Sequence, residues 1–255
     1  MKEKIKISLV SYTNTIPFRY GLFNFFTNEE VIIEQDIPAI CAEKTINNKV
    51  DIGLVPIAVL SKHKNLKIIS DFCIGSQGKV DSVMLYSQKP VNELQKIYLD
   101  PESKTSVQLV RILCQELWKT NPEFISATDN YINLINDEIG GVVIGDRTFK
   151  LKNRFNFEYD LSENWKKHTG LPFVFACWVC TSELENSFIE KFNSALSFGI
   201  KNIDKAVLKY NVSDLSLEDT LVYLKQRIDY VLDEDKIKGM ELFLKYLETA
   251  SKHKS

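Results

Sequence analysis

Short apolar runs alternate with amphipathic segments along most of the chain, and this alternation predicts its secondary structure. The runs are too short for buried helices and fit strands. The predicted strands are residues 5–11, 31–33, 50–54, 66–69, 83–86, 96–99, 142–144 and 173–179. The predicted helices before residue 120 are 15–26, 39–48 and 103–118, where apolar side chains recur at helical spacing. Alternating strands and helices favour an α/β fold with largely parallel strands.

The pattern also predicts how the chain is divided. A second strand–helix series begins at residue 96, and the chain becomes helical after the long apolar run at 173–179. Two series joined by extended crossings predict two lobes around a central cleft. We expect lobe 1 to contain residues 1–88 and 176–255, including the C-terminal helices, and lobe 2 to contain residues 89–175. Ligands of such folds bind at the carboxyl ends of strands, against helix N-termini.

Composition narrows the class of protein. The 255 residues include 44% hydrophobic and 26% charged residues, and the net charge is −2 with scattered basic residues, which argues against a nucleic-acid partner. No apolar run approaches the ~20 residues of a membrane span, and residues 7–10 are too short for the core of a signal peptide. An odd number of cysteines without an export signal predicts reduced thiols and a cytoplasmic location. The cysteines are Cys41, Cys73, Cys114, Cys177 and Cys180.

Two polar segments in the first half of the chain are candidates for ligand binding. Tyr12 and Asn14 lie between a predicted strand and a predicted helix, where free backbone N–H groups suit an anionic or hydroxylated ligand. A capped helix start, with Thr15 as the cap, is the alternative. Ser82 follows a polar, glycine-containing stretch at the entry to a strand, and the alternative there is a surface turn.

Two further candidate segments lie later in the chain. Ser103, Thr105 and Ser106 begin a predicted helix, where hydroxyls, N–H groups and the helix dipole can bind a carboxylate. Helix capping alone is the alternative. Gly145 and Asp146 follow the strand at 142–144, so the carboxylate would either orient a ligand hydroxyl or cap the next segment.

Metal and nucleotide chemistry have weak support in the sequence. His63, His168 and His253 show no ligand spacing. Cys177 and Cys180 form a C-x-x-C pattern, but it falls in a predicted strand, where positions three apart face opposite sides. No glycine-rich phosphate-binding motif occurs. We therefore predict no metal and no cofactor.

Six motifs over residues 7–180 occur in an order that resembles the MqnA family, the chorismate dehydratases of menaquinone biosynthesis. They are VSYTNTIPF at 10–18, DIGLVP at 51–56, IGS with SVML at 74–85, SKTSVQL at 103–109, IGD at 144–146, and YDL with TGLPFVFACW at 159–178. The resemblance implies a type II periplasmic-binding-protein fold used in the cytoplasm as a lyase. The implied reaction converts chorismate into 3-[(1-carboxyvinyl)oxy]benzoate and water without a cofactor.

The resemblance also points to Asn14 and Ser82 as the cleft residues nearest the reaction. An amide is not a general base at neutral pH, so our hypothesis is that Asn14 orients the ring hydroxyl or a carboxylate. The base is then either the substrate's own side-chain carboxylate or Asp146, if it reaches. The residues expected to bind substrate are Tyr12, Ser103, Thr105, Ser106, Gly145 and Asp146.

Two other functions fit the same fold. One is an intracellular protein that binds a small anion without catalysis. The other is the sister enzyme acting on cyclic dehypoxanthine futalosine, whose opening segment we expect to be richer in Cys, Pro, Asn and Asp than residues 12–15 of this chain. The sequence does not predict the oligomeric state, the extent of lobe closure or the role of Arg147.

Overall fold

Two β-sheets with helices packed around them form the two lobes of the protein. The computed structural model describes residues 4–210 and 215–252. One sheet has six strands and the other has five. The α/β class predicted from the sequence is therefore confirmed.

The six-stranded sheet belongs to lobe 1 and combines strands from both ends of the chain. Its strands are β1 (Ile5–Val10), β2 (Val31–Asp36), β3 (Ile52–Pro56), β4 (Lys67–Ser76), β10 (Phe173–Cys180) and β11 (Asp229–Val231). Their order is β11-β4-β10-β3-β1-β2. β1 pairs in parallel with β2 and β3, whereas β10 is antiparallel to β3 and β4. The carboxyl ends of β1 and β3 and the amino-terminal half of β10 therefore meet at one edge.

The five-stranded sheet belongs to lobe 2. Its strands are β5 (Val83–Ser87), β6 (Lys96–Leu99), β7 (Glu123–Ser126), β8 (Ile139–Ile144) and β9 (Phe157–Asp160), in the order β7-β6-β8-β5-β9. β6 and β8 run parallel, and Val83 at the start of β5 lies opposite Ile144 at the end of β8. The turn before β5 and the loops after β6 and β8 consequently share the edge that faces lobe 1.

The position of β5 bears on the division into lobes. We predicted that lobe 1 extends to residue 88, but β5 is hydrogen-bonded on both sides within the five-stranded sheet. All of β10, from Phe173, lies in the six-stranded sheet. We therefore propose that the chain passes from one lobe to the other at residues 77–82 and 161–172, and not at the predicted boundaries after residues 88 and 175.

Side-chain caps occur at some of the helix starts and not at others. Ser216 caps the helix Leu217–Val222, because its hydroxyl accepts a hydrogen bond from the N–H of Asp219 (3.0 Å). Thr15 does not cap its helix, because its hydroxyl donates to the carbonyls of Val10 (2.5 Å) and Tyr12 (2.8 Å). The α-helices are α1 (Ile16–Phe25), α2 (Pro38–Ile46), α3 (Ser106–Leu113), α4 (Leu161–Thr169), α5 (Asn186–Lys201), α6 (Ile203–Tyr210), α7 (Leu217–Val222) and α8 (Glu234–Lys252).

β10 is the centre of the lobe 1 core, and every one of its residues is buried. The ring of Trp178 packs edge-on against Phe18 of α1 (centroids 5.6 Å apart) and Phe192 of α5 (5.1 Å). Helix α1 is therefore fixed on the sheet, and so is the loop that precedes it. Over the described ranges, no helix combines the length and apolar character needed to cross a bilayer.

Two glycines let α1 and α5 approach closely. A Cβ atom on Gly199 would lie 1.8 Å from the carbonyl oxygen of Pro17, and one on Gly21 would lie 1.9 Å from that of Ala195. Neither position can accept a side chain unless the helices separate.

We expect Gly199→Ala to lower the free energy of unfolding by about 1–3 kcal/mol, because the new methyl group would push α1 away from α5. Urea denaturation would measure this loss. Ser194→Ala is the matched control on the same helix, because Ser194 is exposed and its change should stay within about 0.5 kcal/mol. Equal stabilities of the two variants would contradict the close helix contact.

Candidate active site

A cleft of about 580 Å³ of empty space, partly open to solvent, lies where the two sheet edges face each other. Both lobes contribute to its lining. The candidate residues that line it are Tyr12, Asn14, Ser82, Ser103, Thr105, Ser106 and Gly145. The structure therefore brings together every predicted site residue except Asp146.

The rest of the lining is mostly apolar, which sequence reasoning did not assign to the site. These residues are Val10, Pro38, Leu54, Pro56, Ile74, Val80, Val83, Ile144, Phe175 and Ala176. They belong to strand ends and crossings, so their apolar character indicated only core positions in the sequence. Among the described lining residues, Lys104 alone is charged. The cleft thus has mostly apolar walls, a few polar groups and one cation.

Asn14 lies in a short 3-10 turn, Thr13–Thr15, between β1 and α1. The hydroxyl of Tyr230 donates to the backbone carbonyl of Asn14 (3.0 Å) and fixes the turn from the C-terminal part of the chain. The side-chain oxygen of Asn14 is buried and accepts no hydrogen bond from any described residue. A buried acceptor without a partner costs about 1–3 kcal/mol, so a ligand donor at this point would be strongly favoured.

Ser82 lies in the turn before β5, and Asp160 holds this turn. One carboxylate oxygen of Asp160 accepts from the N–H groups of Val80 (2.8 Å) and Asp81 (2.7 Å), and the other caps α4. Burial raises the pKa of Asp160 to about 6, although its backbone donors act in the opposite direction. In the sequence Asp160 belongs to the YDL motif at 159–161, and its contact with residues 80–81 is not apparent from the local pattern.

The hydroxyls at the start of α3 are mostly engaged by the protein. Thr105 donates to the carbonyl of Phe175 (3.1 Å) and accepts from the N–H of Ala58 (3.3 Å), both in lobe 1. Ser103 accepts from the N–H of Ser106 (2.9 Å), which is a helix-capping contact. Thr105 is therefore not free to donate as predicted, whereas Ser103 only accepts and keeps its hydroxyl proton for another acceptor. Ser106 and the positive end of the α3 dipole remain at the cleft.

Asp146 requires a correction. Its carboxylate accepts hydrogen bonds from the N–H of Thr13 (3.2 and 3.3 Å) and from the Thr13 hydroxyl (2.9 Å). This contact crosses between the lobes and caps the 3-10 turn that carries Asn14. The capping alternative applies, although the capped turn belongs to the other lobe, and Asp146 does not line the cleft.

Tyr12 closes one side of the cleft, and its hydroxyl donates to the carboxylate of Glu102 in lobe 2. Burial and the neighbouring Glu102 raise the pKa of Tyr12. Gly145 has φ +68, and a Cβ there would lie 2.9 Å from the Tyr12 ring, so only glycine admits the ring. Arg147 pairs with buried Asp100 (2.7 Å) and lies 3.4 Å from Glu102, which assigns it to this inter-lobe contact.

Within residues 4–210 and 215–252, no cluster of three or more His, Cys, Asp or Glu side chains has an arrangement that could hold a metal ion. The five cysteines are free and buried.

Solved structures with the same architecture define the class of protein. A protein from Archaeoglobus fulgidus superposes with a TM-score of 0.76 at 16% identity, covering 97% of this chain and 98% of that one. A Candida albicans protein described as having the generic periplasmic-binding-protein fold gives a TM-score of 0.68 at 14% identity, covering 97% and 90%. The chain is thus a two-lobed protein of the periplasmic-binding-protein type, which confirms the predicted fold.

The sequence then identifies the family. The chain belongs to the menaquinone biosynthesis family, whose model matches residues 5–249. A chorismate dehydratase of Thermus thermophilus is 29% identical over 195 residues, which are 69% of this chain and 70% of that protein. A chorismate dehydratase of Campylobacter jejuni is 31% identical over 124 residues, 47% and 54% of the two chains. The family resemblance recognised in the sequence is confirmed.

We expect Tyr12→Phe to speed amide hydrogen exchange about tenfold at residues 11–15 and 100–103. The variant loses a charge-assisted hydrogen bond between the lobes, worth about 1.5–3 kcal/mol, and part of that loss appears as easier local opening. Mass-spectrometric hydrogen exchange would measure it. Tyr159→Phe is the control, because the Tyr159 hydroxyl accepts from Val91 within lobe 2 (3.0 Å). Unchanged exchange at both segments in Tyr12→Phe would show that the contact does not hold the lobes.

Proposed function

We propose that this protein is a chorismate dehydratase, a carbon–oxygen lyase that converts chorismate into 3-[(1-carboxyvinyl)oxy]benzoate and water. The family and the names of its relatives support this proposal. The structural observation that carries it is the unpaired, buried oxygen of Asn14 in a cleft that Ser82 also lines. A ligand hydroxyl is the group that such an acceptor requires.

The reaction requires no covalent bond between the substrate and the protein. Chorismate carries two carboxylates and a ring hydroxyl, and losing that hydroxyl with the proton of the ether-bearing ring carbon makes the ring aromatic. The protein must hold the substrate, stabilise developing charge and exclude water. The carbon that loses the proton is conjugated through the ring double bonds with the ring carboxylate, so the negative charge that forms spreads onto that carboxylate. Donors aimed at the carboxylate stabilise this anion.

Each polar group of the cleft has a role in this proposal. Asn14 accepts a hydrogen bond from the ring hydroxyl, and Ser82 donates to the same oxygen as it leaves. Lys104, Ser106 and the N-terminus of α3 bind a carboxylate. The substrate's own side-chain carboxylate takes the ring proton, because the Asp146 carboxylate is engaged by the Thr13 turn. The C–H and C–O bonds break, a ring double bond forms, and the side-chain carboxylic acid passes the abstracted proton to the departing hydroxyl, which leaves as water.

The two alternative functions have less support. A function limited to anion binding has less support, because the named relatives of this chain are dehydratases. The sister enzyme on cyclic dehypoxanthine futalosine would need a different opening segment, as argued above. We also propose a cytoplasmic location, which five free, buried thiols support. Cell fractionation would test it.

Purified protein given chorismate alone should form the aromatic product, identified by its mass and absorbance. We expect Asn14→Ala and Ser82→Ala to lower kcat by about 10²–10³, which is typical for loss of a group that stabilises a transition state. Their circular dichroism should match that of the unaltered protein.

Matched controls exist for both substitutions. Asn24→Ala removes an exposed asparagine from α1, and Ser87→Ala removes a buried serine from the far end of β5. Both should retain activity near that of the unaltered protein. Full activity in Asn14→Ala would end the site assignment, and the absence of product with the unaltered protein would end the proposed function.

Lys104 allows a test of anion recognition. We expect Lys104→Gln to raise KM for chorismate about fivefold at low ionic strength with little effect on kcat, because an exposed charge contributes up to about 1 kcal/mol. The difference should shrink as salt is added, since salt screens exposed charges. Lys62→Gln is the control, because Lys62 lies in a neighbouring groove and not in the cleft. Equal KM values for both variants would remove Lys104 from the site.

A further inference from the structure

A segment near the C-terminus reaches both residues nearest the proposed reaction. It begins with a π-helical turn, Tyr223–Arg227, directly after α7. Such turns are frequent at functional sites. Neither the sequence motifs nor the roles assigned above involve this turn.

Tyr223 makes the central contact of the segment. Its hydroxyl donates to the Ser82 hydroxyl oxygen (2.8 Å), and its ring packs edge-on against Phe149 (centroids 5.0 Å apart). Arg227, one turn later, pairs with Asp81 (2.6 Å), so the same turn holds two consecutive residues before β5. Tyr223 is 4% exposed, which makes its hydroxyl a buried group within the protein.

The direction of these hydrogen bonds constrains what the cleft can bind. A phenol has one proton, and Tyr223 gives it to Ser82. The proton of Ser82 is then left for another acceptor, and the cleft is where Ser82 is accessible. The turn that carries Asn14 also packs against the Tyr223–Arg227 turn, so Asn14 and Tyr223 lie in neighbouring turns.

The side-chain oxygen of Asn14 is buried and has no hydrogen-bond partner among the described residues. The cleft then presents one acceptor, from Asn14, and one donor, from Ser82. A ligand hydroxyl satisfies both at once, because it donates one hydrogen bond and accepts another.

We propose that Tyr223 is a positioning residue, which orients the Asn14 amide and the Ser82 hydroxyl so that together they grip the leaving hydroxyl of the substrate. This inference rests on the proposed function. Tyr223 touches no substrate atom itself. It sets which partner donates and which accepts, and Ser82 then delivers its hydrogen bond to the oxygen that departs as water.

Tyr223→Phe keeps the ring and its contact with Phe149 but removes the hydroxyl. We expect kcat for chorismate to fall about 10- to 100-fold and KM to change less than about threefold, because the lost orientation matters most when the hydroxyl leaves. Combined with Ser82→Ala, the substitution should cost less than about twofold more, since Tyr223 acts through Ser82. Tyr86→Phe is the control, because it removes a buried tyrosine hydroxyl that donates to Thr148 in lobe 2 (3.3 Å).

Two kinetic results would overturn the inference. One is a Tyr223→Phe variant with unaltered kcat, and the other is full additivity with Ser82→Ala. A loss of kcat no larger than that of Tyr86→Phe would also reduce Tyr223 to a packing role.

A second measurement needs no turnover. In the ligand-free protein, the side-chain amide protons of Asn14 should exchange at least fivefold faster in Tyr223→Phe than in the unaltered protein, as followed by NMR. If the unaltered protein does not convert chorismate, the proposed function fails, and the exchange of Asn14 still decides whether Tyr223 orients it. Unchanged exchange would overturn the inference even where the enzyme is active.

Discussion

Hydrogen bonds that cross between the lobes set the geometry on which the whole site depends. Asp146 of lobe 2 caps the turn that carries Asn14, and Thr105 of lobe 2 joins two backbone groups of lobe 1. Hydrogen-bonding groups that are buried between the lobes lose their contact with water, so each needs a partner in the opposite lobe. The closed arrangement thus places an acceptor from one sheet edge beside a donor from the other, with apolar walls between them.

The alternation of strands and helices was sufficient to predict the α/β class and two lobes, but not which strands form each sheet. Three strands were missed, β7, β9 and β11, because they are short and half polar, with the sequences EFIS, FEYD and DYV. They lie at sheet edges, where burial is incomplete and no apolar run forms. The lobe boundary was also hard to predict, because the sequence of a strand does not indicate which sheet the strand joins.

The site was predictable at strand ends and hidden elsewhere. Asn14, Ser82 and Gly145 each follow or precede a recognisable strand, so position alone made them candidates. Thr105 shows the limit, because its hydroxyl is occupied by Phe175 and Ala58, 70 and 47 residues away in the chain. Tyr223 is 141 residues from Ser82 and belongs to a helical region without a distinctive motif. The local sequence pattern identifies polar side chains, whereas tertiary contacts determine which of them remain available to bind a ligand.

The place of β10 in the first sheet has a consequence for biosynthesis of the chain. This strand enters between β3 and β4, although more than ninety residues separate it from β4. Once β9 (Phe157–Asp160) has been made, the second sheet has all its strands, whereas the first sheet still has an open slot at its centre. The second lobe can therefore fold on the ribosome as a unit, and the first must wait for β10 to emerge from the exit tunnel.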